Sequence, residues 1–127
     1  MAMQVSIVIC GFGRVGRAFA ELLVSKERML RERYGLEPSA VAVVDIGGAV
    51  QAVKEVPLSL PMLLDWVRKG NPIEKIPRWG RPGLNAEGVL GEVSPDVWIE
   101  TTPTNIVDGE PAYTHIKAAL KREVHVV

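Results

Sequence analysis

The stretch VSIVICGFGRVGRAFAELL, Val5 to Leu23, decides the fold. Val5 to Cys10 is nearly all apolar, with β-branched Val and Ile dominant. That is how a strand buried on both faces reads, as in a parallel sheet covered by helices. Gly11, Gly13 and Gly16 follow. After them Val15, Phe19, Leu22, Leu23, Leu30 and Tyr34 recur at three- and four-residue steps, while Arg17, Glu21, Lys26, Arg28 and Glu32 fill the other faces. An amphipathic helix is expected, stopping at Gly35 ahead of Pro38.

Outward from this unit, strands and helices alternate. Val41 to Val44 is a second apolar run, ended by Asp45 and the turn glycines Gly47 and Gly48 after a Tyr34–Ser39 turn. Ser59 ahead of Leu60 and Pro61 marks a helix start, Met62 to Lys69 its body and Gly70 its end. From Asn71 to Gly91 prolines and glycines punctuate the chain so often that it reads mostly as loop. Val97 to Glu100 is a third strand. Asp108 with Pro111 opens a helix whose apolar side includes Ile116, Ala119 and Leu120, and Val124 to Val127 is the last strand. The order implies an α/β fold, a parallel sheet with helices on both faces. A chain stopping inside a strand is expected to be truncated from a longer one.

The bulk composition narrows the function classes. With 127 residues, 47% hydrophobic and 24% charged, the chain has the length and make-up of one soluble domain with its own core. Fifteen basic residues balance fifteen acidic ones, so no overall field recommends nucleic acid or an anionic membrane as partner. One cysteine, Cys10, excludes an internal disulfide and suits a reducing compartment. Val5 to Cys10 is too short to span a bilayer and lacks a basic leader, which leaves a cytoplasmic protein as the expectation.

The glycines have the spacing G-x-G-x-x-G of a dinucleotide-binding turn. With 12 glycines in the chain such a match arises by chance on the order of one time in ten, so its context decides. A strand before and an amphipathic helix after supply that context. Gly11 would make the tight turn, Gly13 would admit the pyrophosphate close to the backbone, and Gly16 would let the helix pack on the strand. Phe12, Arg14 and Val15 would offer chiefly backbone N–H groups, with the Arg14 side chain also placed to neutralise phosphate charge.

Asp45 stands at the end of the next strand, where an acid would accept the ribose hydroxyls. It lies 29 residues past Gly16 against the usual spacing of about 20, the long first helix taking up the difference. No base follows until Lys54, which favours NAD over NADP. Asp45 equally suits a plain turn cap before Gly47. The loop ETTPTNIVDGEP, Glu100 to Pro111, follows a strand and would face the nicotinamide half, with hydroxyls from Thr101, Thr102 and Thr104, the amide of Asn105, and Pro103 holding Thr102 extended. A polar turn with Asp108 capping the next helix accounts for it as well.

GFGRVGRAFAELL, VVDIGGAV and ETTPTNIVDGEPAYTHIKAALKREVHVV, in that order, resemble the N-terminal cofactor domain of homoserine dehydrogenase across essentially the whole chain, residues 1–127. Thr102-Pro103-Thr104-Asn105 with Gly109-Glu110-Pro111 is the most specific part. The resemblance implies a Rossmann-type NAD(P)-binding domain, NAD favoured, with Gly11 to Gly16 on the pyrophosphate and Thr102 to Asn105 along the nicotinamide ribose. It implies a homodimeric, full-length oxidoreductase that interconverts aspartate semialdehyde and homoserine on the route to threonine and methionine, through a substrate and dimerisation domain outside this chain. The family's proton-transfer lysine would follow Val127, so no catalytic residue is expected within the chain, and nucleotide binding without turnover is. Another amino-acid dehydrogenase sharing this first domain, or a non-catalytic NAD(H)-sensing module, are the competing readings.

The remaining reactive residues read as structural. His115 and His125 are too isolated for a metal site, with His115 on a helix surface and His125 in a strand. Cys10 reads as a small buried residue at a strand end, with a redox role as the alternative. Lys75, Arg78, Trp79 and Arg81 make a basic aromatic loop, either solvated or in contact with phosphate or a partner. Trp66 and Trp98 fit core positions.

Overall fold

The computed structural model describes residues 2–54 and 56–127. Its elements are β1 (Met3–Cys10), α1 (Arg14–Tyr34), β2 (Leu36–Asp45), β3 (Gly48–Gln51), α2 (Leu60–Arg68), a 3-10 turn at Ile73–Lys75, β4 (Gly80–Pro82), α3 (Ala86–Glu92), β5 (Val97–Glu100), α4 (Ala112–Lys121) and β6 (His125–Val126). Among the described residues the strands form one sheet in the order β4-β3-β2-β1-β5-β6. β1 runs parallel to β2 and β5, and β5 parallel to β6, while β3 is antiparallel to both β2 and β4.

The sheet is therefore mixed, where an all-parallel one was expected. Asp45 pairs with Gly48 across Ile46 and Gly47, so the chain reverses in a tight hairpin and adds β3 antiparallel to β2. The parallel part, β2-β1-β5-β6, keeps the expected layout.

β1 shows why both faces are covered. Ile7 and Ile9 enter one core with Ala20 of α1 and Leu63, Leu64 and Val67 of α2. Val8 and Cys10 enter another with Ala86, Val89 and Leu90 of α3, Trp98 of β5 and Ala119 of α4. Alternate side chains of a strand point to opposite faces, and here both sets are apolar.

α1 and α2 end as their local chemistry dictates. Gly35 closes α1 in the left-handed conformation, and the Ser59 hydroxyl accepts the Met62 N–H at the start of α2. Only part of the apolar repeat on α1 packs: Phe19 and Leu23 lie against the core, whereas Val15, Leu22 and Tyr34 are exposed.

Three expected boundaries shift. β2 begins at Leu36, so most of the expected Tyr34–Ser39 turn is strand. Pro38 is tolerated because β3 does not start until opposite Ala42, leaving one side of β2 open there. The stretch from Asn71 to Gly91 holds the 3-10 turn, β4 and most of α3 instead of loop. Asn85 caps α3 by accepting the Gly88 N–H, and Arg81 of β4 is tied to Glu92 of α3 by two 3.1 Å bonds. Asp108 does not cap α4: its carboxylate accepts the Glu110 N–H, while Glu110 accepts the N–H and hydroxyl of Thr114.

Trp98 is fully buried, Trp66 and Trp79 pack on the core partly buried, and Leu120 is exposed. Among the described residues, no helix is long and apolar enough to cross a membrane.

Candidate dinucleotide site

The C-terminal ends of β1, β2 and β5 meet at the glycine turn. Gly11 donates its N–H to Val44 at 2.7 Å, which sets Asp45 beside the turn. Gly11 has φ +95, and a Cβ there would stand 2.7 Å from the Thr101 backbone. A Cβ on Gly16 would stand 2.0 Å from the Gly11 carbonyl oxygen, so the first turn of α1 rests directly on the strand exit. At Gly13 a Cβ would meet nothing within 4 Å. Two glycines thus permit contact inside the protein, and the third leaves space outside it.

The turn is held from within. The Phe12 ring is fully buried, and its carbonyl accepts the Arg17 guanidinium at 2.8 Å. Gly13, Arg14 and Val15 are exposed. No side chain caps α1, and the first intrahelical bond runs from Arg17 N–H to the Gly13 carbonyl. The N–H groups of Arg14, Val15 and Gly16 therefore lack intrahelical acceptors at the positive end of a 21-residue helix. Unpaired N–H groups at a helix N-terminus can hold an anion, and Gly13 leaves the space beside them open.

Asp45 is half-buried, and the next residue, Ile46, is 99% exposed. Among the described residues, no hydrogen bond to the Asp45 carboxylate is formed, so it does not serve as a side-chain turn cap. The residues flanking it toward solvent, Ile46 and Gly47, carry no charge.

On the β5 side the loop residues divide. The Thr101 hydroxyl points inward, donating to the Gly11 carbonyl at 2.7 Å with the Cys10 carbonyl 3.0 Å away. Thr102 donates to the Glu100 carboxylate. Pro103, Thr104 and Asn105 are exposed, and the Asn105 side-chain oxygen accepts the Val107 N–H at 3.0 Å. Two of the three threonine hydroxyls thus brace the loop, leaving Thr104 and the Asn105 amide nitrogen toward solvent.

The brace centres on Glu100, whose importance the sequence reading missed. Its side chain is 6% exposed and accepts the Trp98 indole N–H at 2.8 Å, the Thr102 hydroxyl, and His115 Nδ1 at 3.1 Å. Burial pushes the Glu100 carboxyl upward, but the bonds from His115, Thr102 and Trp98 outweigh it and hold the group below the ordinary carboxylate value. His115 is not a surface residue as expected, since its side chain is only 18% exposed and turns inward. Cys10 lies 3.4 Å from His115 Nδ1. Burial, and then the Glu100 charge, push its thiol far above the ordinary value, which argues against the redox alternative. Strand alternation carried a signal for this cluster: Glu100 is two residues from buried Trp98, and His115 is one helical turn from buried Ala119.

No family model matches the chain. Homoserine dehydrogenase of Methanocaldococcus jannaschii is 37% identical over 121 residues, 95% of this chain and 35% of that protein. Over nearly its whole length the chain is thus similar to part of a homoserine dehydrogenase. An NAD(+)-dependent homoserine dehydrogenase of Pseudomonas canavaninivorans is 30% identical over 98% of this chain and 35% of its own length. A hyperthermophilic archaeal homoserine dehydrogenase mutant, solved in complex with NADPH, superposes with a TM-score of 0.80 at 23% identity, covering 98% of this chain and 35% of that one. The chain thus spans about a third of the length of the homoserine dehydrogenases it matches.

Proposed function

We propose that this chain, residues 1–127, is the NAD(P)-binding domain of a homoserine dehydrogenase. The observation that carries the reading is the division of labour among the glycines: Gly11 and Gly16 are closed by the protein's own backbone, while Gly13 opens onto uncapped helical N–H groups. The names of the relatives, among them an enzyme solved with NADPH, point the same way.

In this reading the N–H groups of Arg14, Val15 and Gly16 hold the pyrophosphate, with the Arg14 guanidinium free to add charge from the exposed face. Asp45 accepts the adenosine ribose hydroxyls and repels a 2′-phosphate, with no base adjacent, so NAD is preferred over NADP. Thr102 to Asn105 line the nicotinamide ribose, Thr104 and Asn105 by contact and Thr102 by holding the loop on Glu100. The bound nicotinamide supplies the hydride. The chain's own part is to fix the ring over the ends of β1 and β5, and to shape the wall against which a carbonyl substrate is presented.

The substrate, aspartate semialdehyde or homoserine, the homodimer and the proton-transfer groups belong to the remainder of a full-length cytoplasmic enzyme, so the 127-residue chain binds cofactor without turnover. Fluorescence titration with NADH tests this. Saturable one-to-one binding, lost in Gly13→Asp at unchanged thermal stability, supports it; no binding by the unaltered chain overturns it. Homoserine oxidation by the isolated chain would overturn the division between binding and turnover.

A further inference from the structure

Cys10, Glu100 and His115 bring a thiol, a carboxylate and an imidazole nitrogen within 4.8 Å of one another. We propose that these three side chains form a binding site for a divalent transition metal of the zinc type. The site lies behind the dinucleotide loop, which Glu100 also braces through Thr102, and metal binding there is read without any cofactor present.

The ligands are set by rigid elements. Cys10 and Glu100 are paired in register on neighbouring parallel strands, and α4 lays His115 over them. Cys10 Sγ lies 3.4 Å from His115 Nδ1, which lies 3.1 Å from Glu100 Oε2. Metal–ligand distances of about 2.3 Å to sulfur and 2.0–2.2 Å to nitrogen and oxygen give tetrahedral edges of roughly 3.3–3.6 Å. The two edges at His115 Nδ1 thus lie within a few tenths of an ångström of those an ion needs, and the sulfur–carboxylate edge, within 4.8 Å, closes as the ion enters.

The arrangement suits coordination better than catalysis by relay. A thiol–imidazole–carboxylate relay uses both ring nitrogens, one toward each partner. Here the same Nδ1 faces both sulfur and carboxylate, so the three groups converge on one point. The carboxylate is already oriented from behind by the Trp98 indole N–H on Oε1, the kind of support that metal-bound carboxylates need, while Thr102 donates to the Oε2 that faces His115. Thiolate and carboxylate together neutralise a dication in a poorly solvated place, and a sulfur–nitrogen–oxygen set selects zinc over magnesium or calcium.

Binding is balanced by one proton. The thiol S–H bond breaks as the metal–sulfur bond forms, and that proton goes to solvent; the hydrogen His115 Nδ1 presents to Glu100 is lost to solvent while Nε2 takes one up, so Nδ1 coordinates with no net change on the ring, and the carboxylate enters already ionised.

The test uses the full chain, freed of metal with chelator and titrated with cobalt(II) and then zinc(II). The expected result is saturation at one equivalent, a thiolate-to-cobalt charge-transfer band with tetrahedral ligand-field absorption, and one proton released in calorimetry compared across buffers. Loss of an outer partner typically weakens metal binding by 10- to 100-fold, so Cys10→Ala is expected to abolish the band and weaken zinc by about 100-fold or more. His115→Gln serves the same purpose if Cys10→Ala does not fold. His125→Ala, at an exposed histidine, should change nothing. Absence of saturable binding, or one-to-one binding without the charge-transfer band that survives Cys10→Ala, overturns the proposal. NADH titration of the same preparations reads the dinucleotide site separately.

Discussion

The Thr101 hydroxyl donates to the Gly11 carbonyl at 2.7 Å, fastening the exit of β5 to the exit of β1. That one bond sets the height of the glycine turn against the loop that follows β5, because the Thr101 backbone also occupies the space where a Gly11 Cβ would be.

Thr101→Val keeps the shape and deletes the donor. The carbonyl of buried Gly11 loses its hydroxyl partner, at a cost of about 1–3 kcal/mol. Urea denaturation should report that loss. NADH affinity should fall with it, while Thr101→Ser restores both.

The glycines of the turn should separate under substitution. Gly16→Ala forces a Cβ to 2.0 Å from backbone oxygen, so the helix must move off the strand, and the cost belongs with overpacking at roughly 3 kcal/mol or more. Gly13→Ala meets nothing, and its φ of −85 suits alanine, so its stability should change by less than about 1 kcal/mol. Thermal melts of the two variants check this directly. Gly13→Ala should nonetheless weaken NADH binding, since its methyl enters the space left for pyrophosphate.

How legible these features were in the sequence depends on how local their causes are. The strand–turn–helix unit could be read because Gly16 and Gly35 answer to backbone demands within a few residues and Gly11 to its own φ of +95, although the Thr101 backbone that also crowds Gly11 lies far along the chain. β3 could not, because Gly48 to Gln51 has little strand character of its own and is held by pairing with β2 and β4. α3 hid for a similar reason. With Gly88 and Gly91 among its seven residues its propensity is poor, and packing of Ala86, Val89 and Leu90 sustains it. In the site, the outward-facing parts of the motif were visible. The inward hydroxyls of Thr101 and Thr102 were not, since a Thr-rich loop carries no mark of which hydroxyl faces the protein.

Glu100 should give the fold an acid limb. A carboxyl held below its unfolded value of about 4.3 adds stability above that pH, and the contribution is lost as pH falls through the lower folded value. Glu100→Gln should therefore lower the melting temperature at neutral pH and flatten its decline in acid. Parallel slopes for the two proteins below pH 4 would show that the buried carboxylate is not the group responsible.

Asp45 is expected to separate the two nicotinamide cofactors. A 2′-phosphate carries close to two negative charges. At about 5 Å in near-aqueous surroundings each unit pair of like charges costs roughly 1 kcal/mol. Ile46 and Gly47 bring no compensating base. NADH should thus bind about tenfold more tightly than NADPH in parallel fluorescence titrations, and the gap should shrink as salt screens the repulsion. Asp45→Asn removes the charge while keeping one acceptor for the ribose hydroxyls. It should narrow the gap chiefly by improving NADPH, with NADH falling only a few-fold. Equal affinities in the unaltered chain would mean that Asp45 faces away from the ribose.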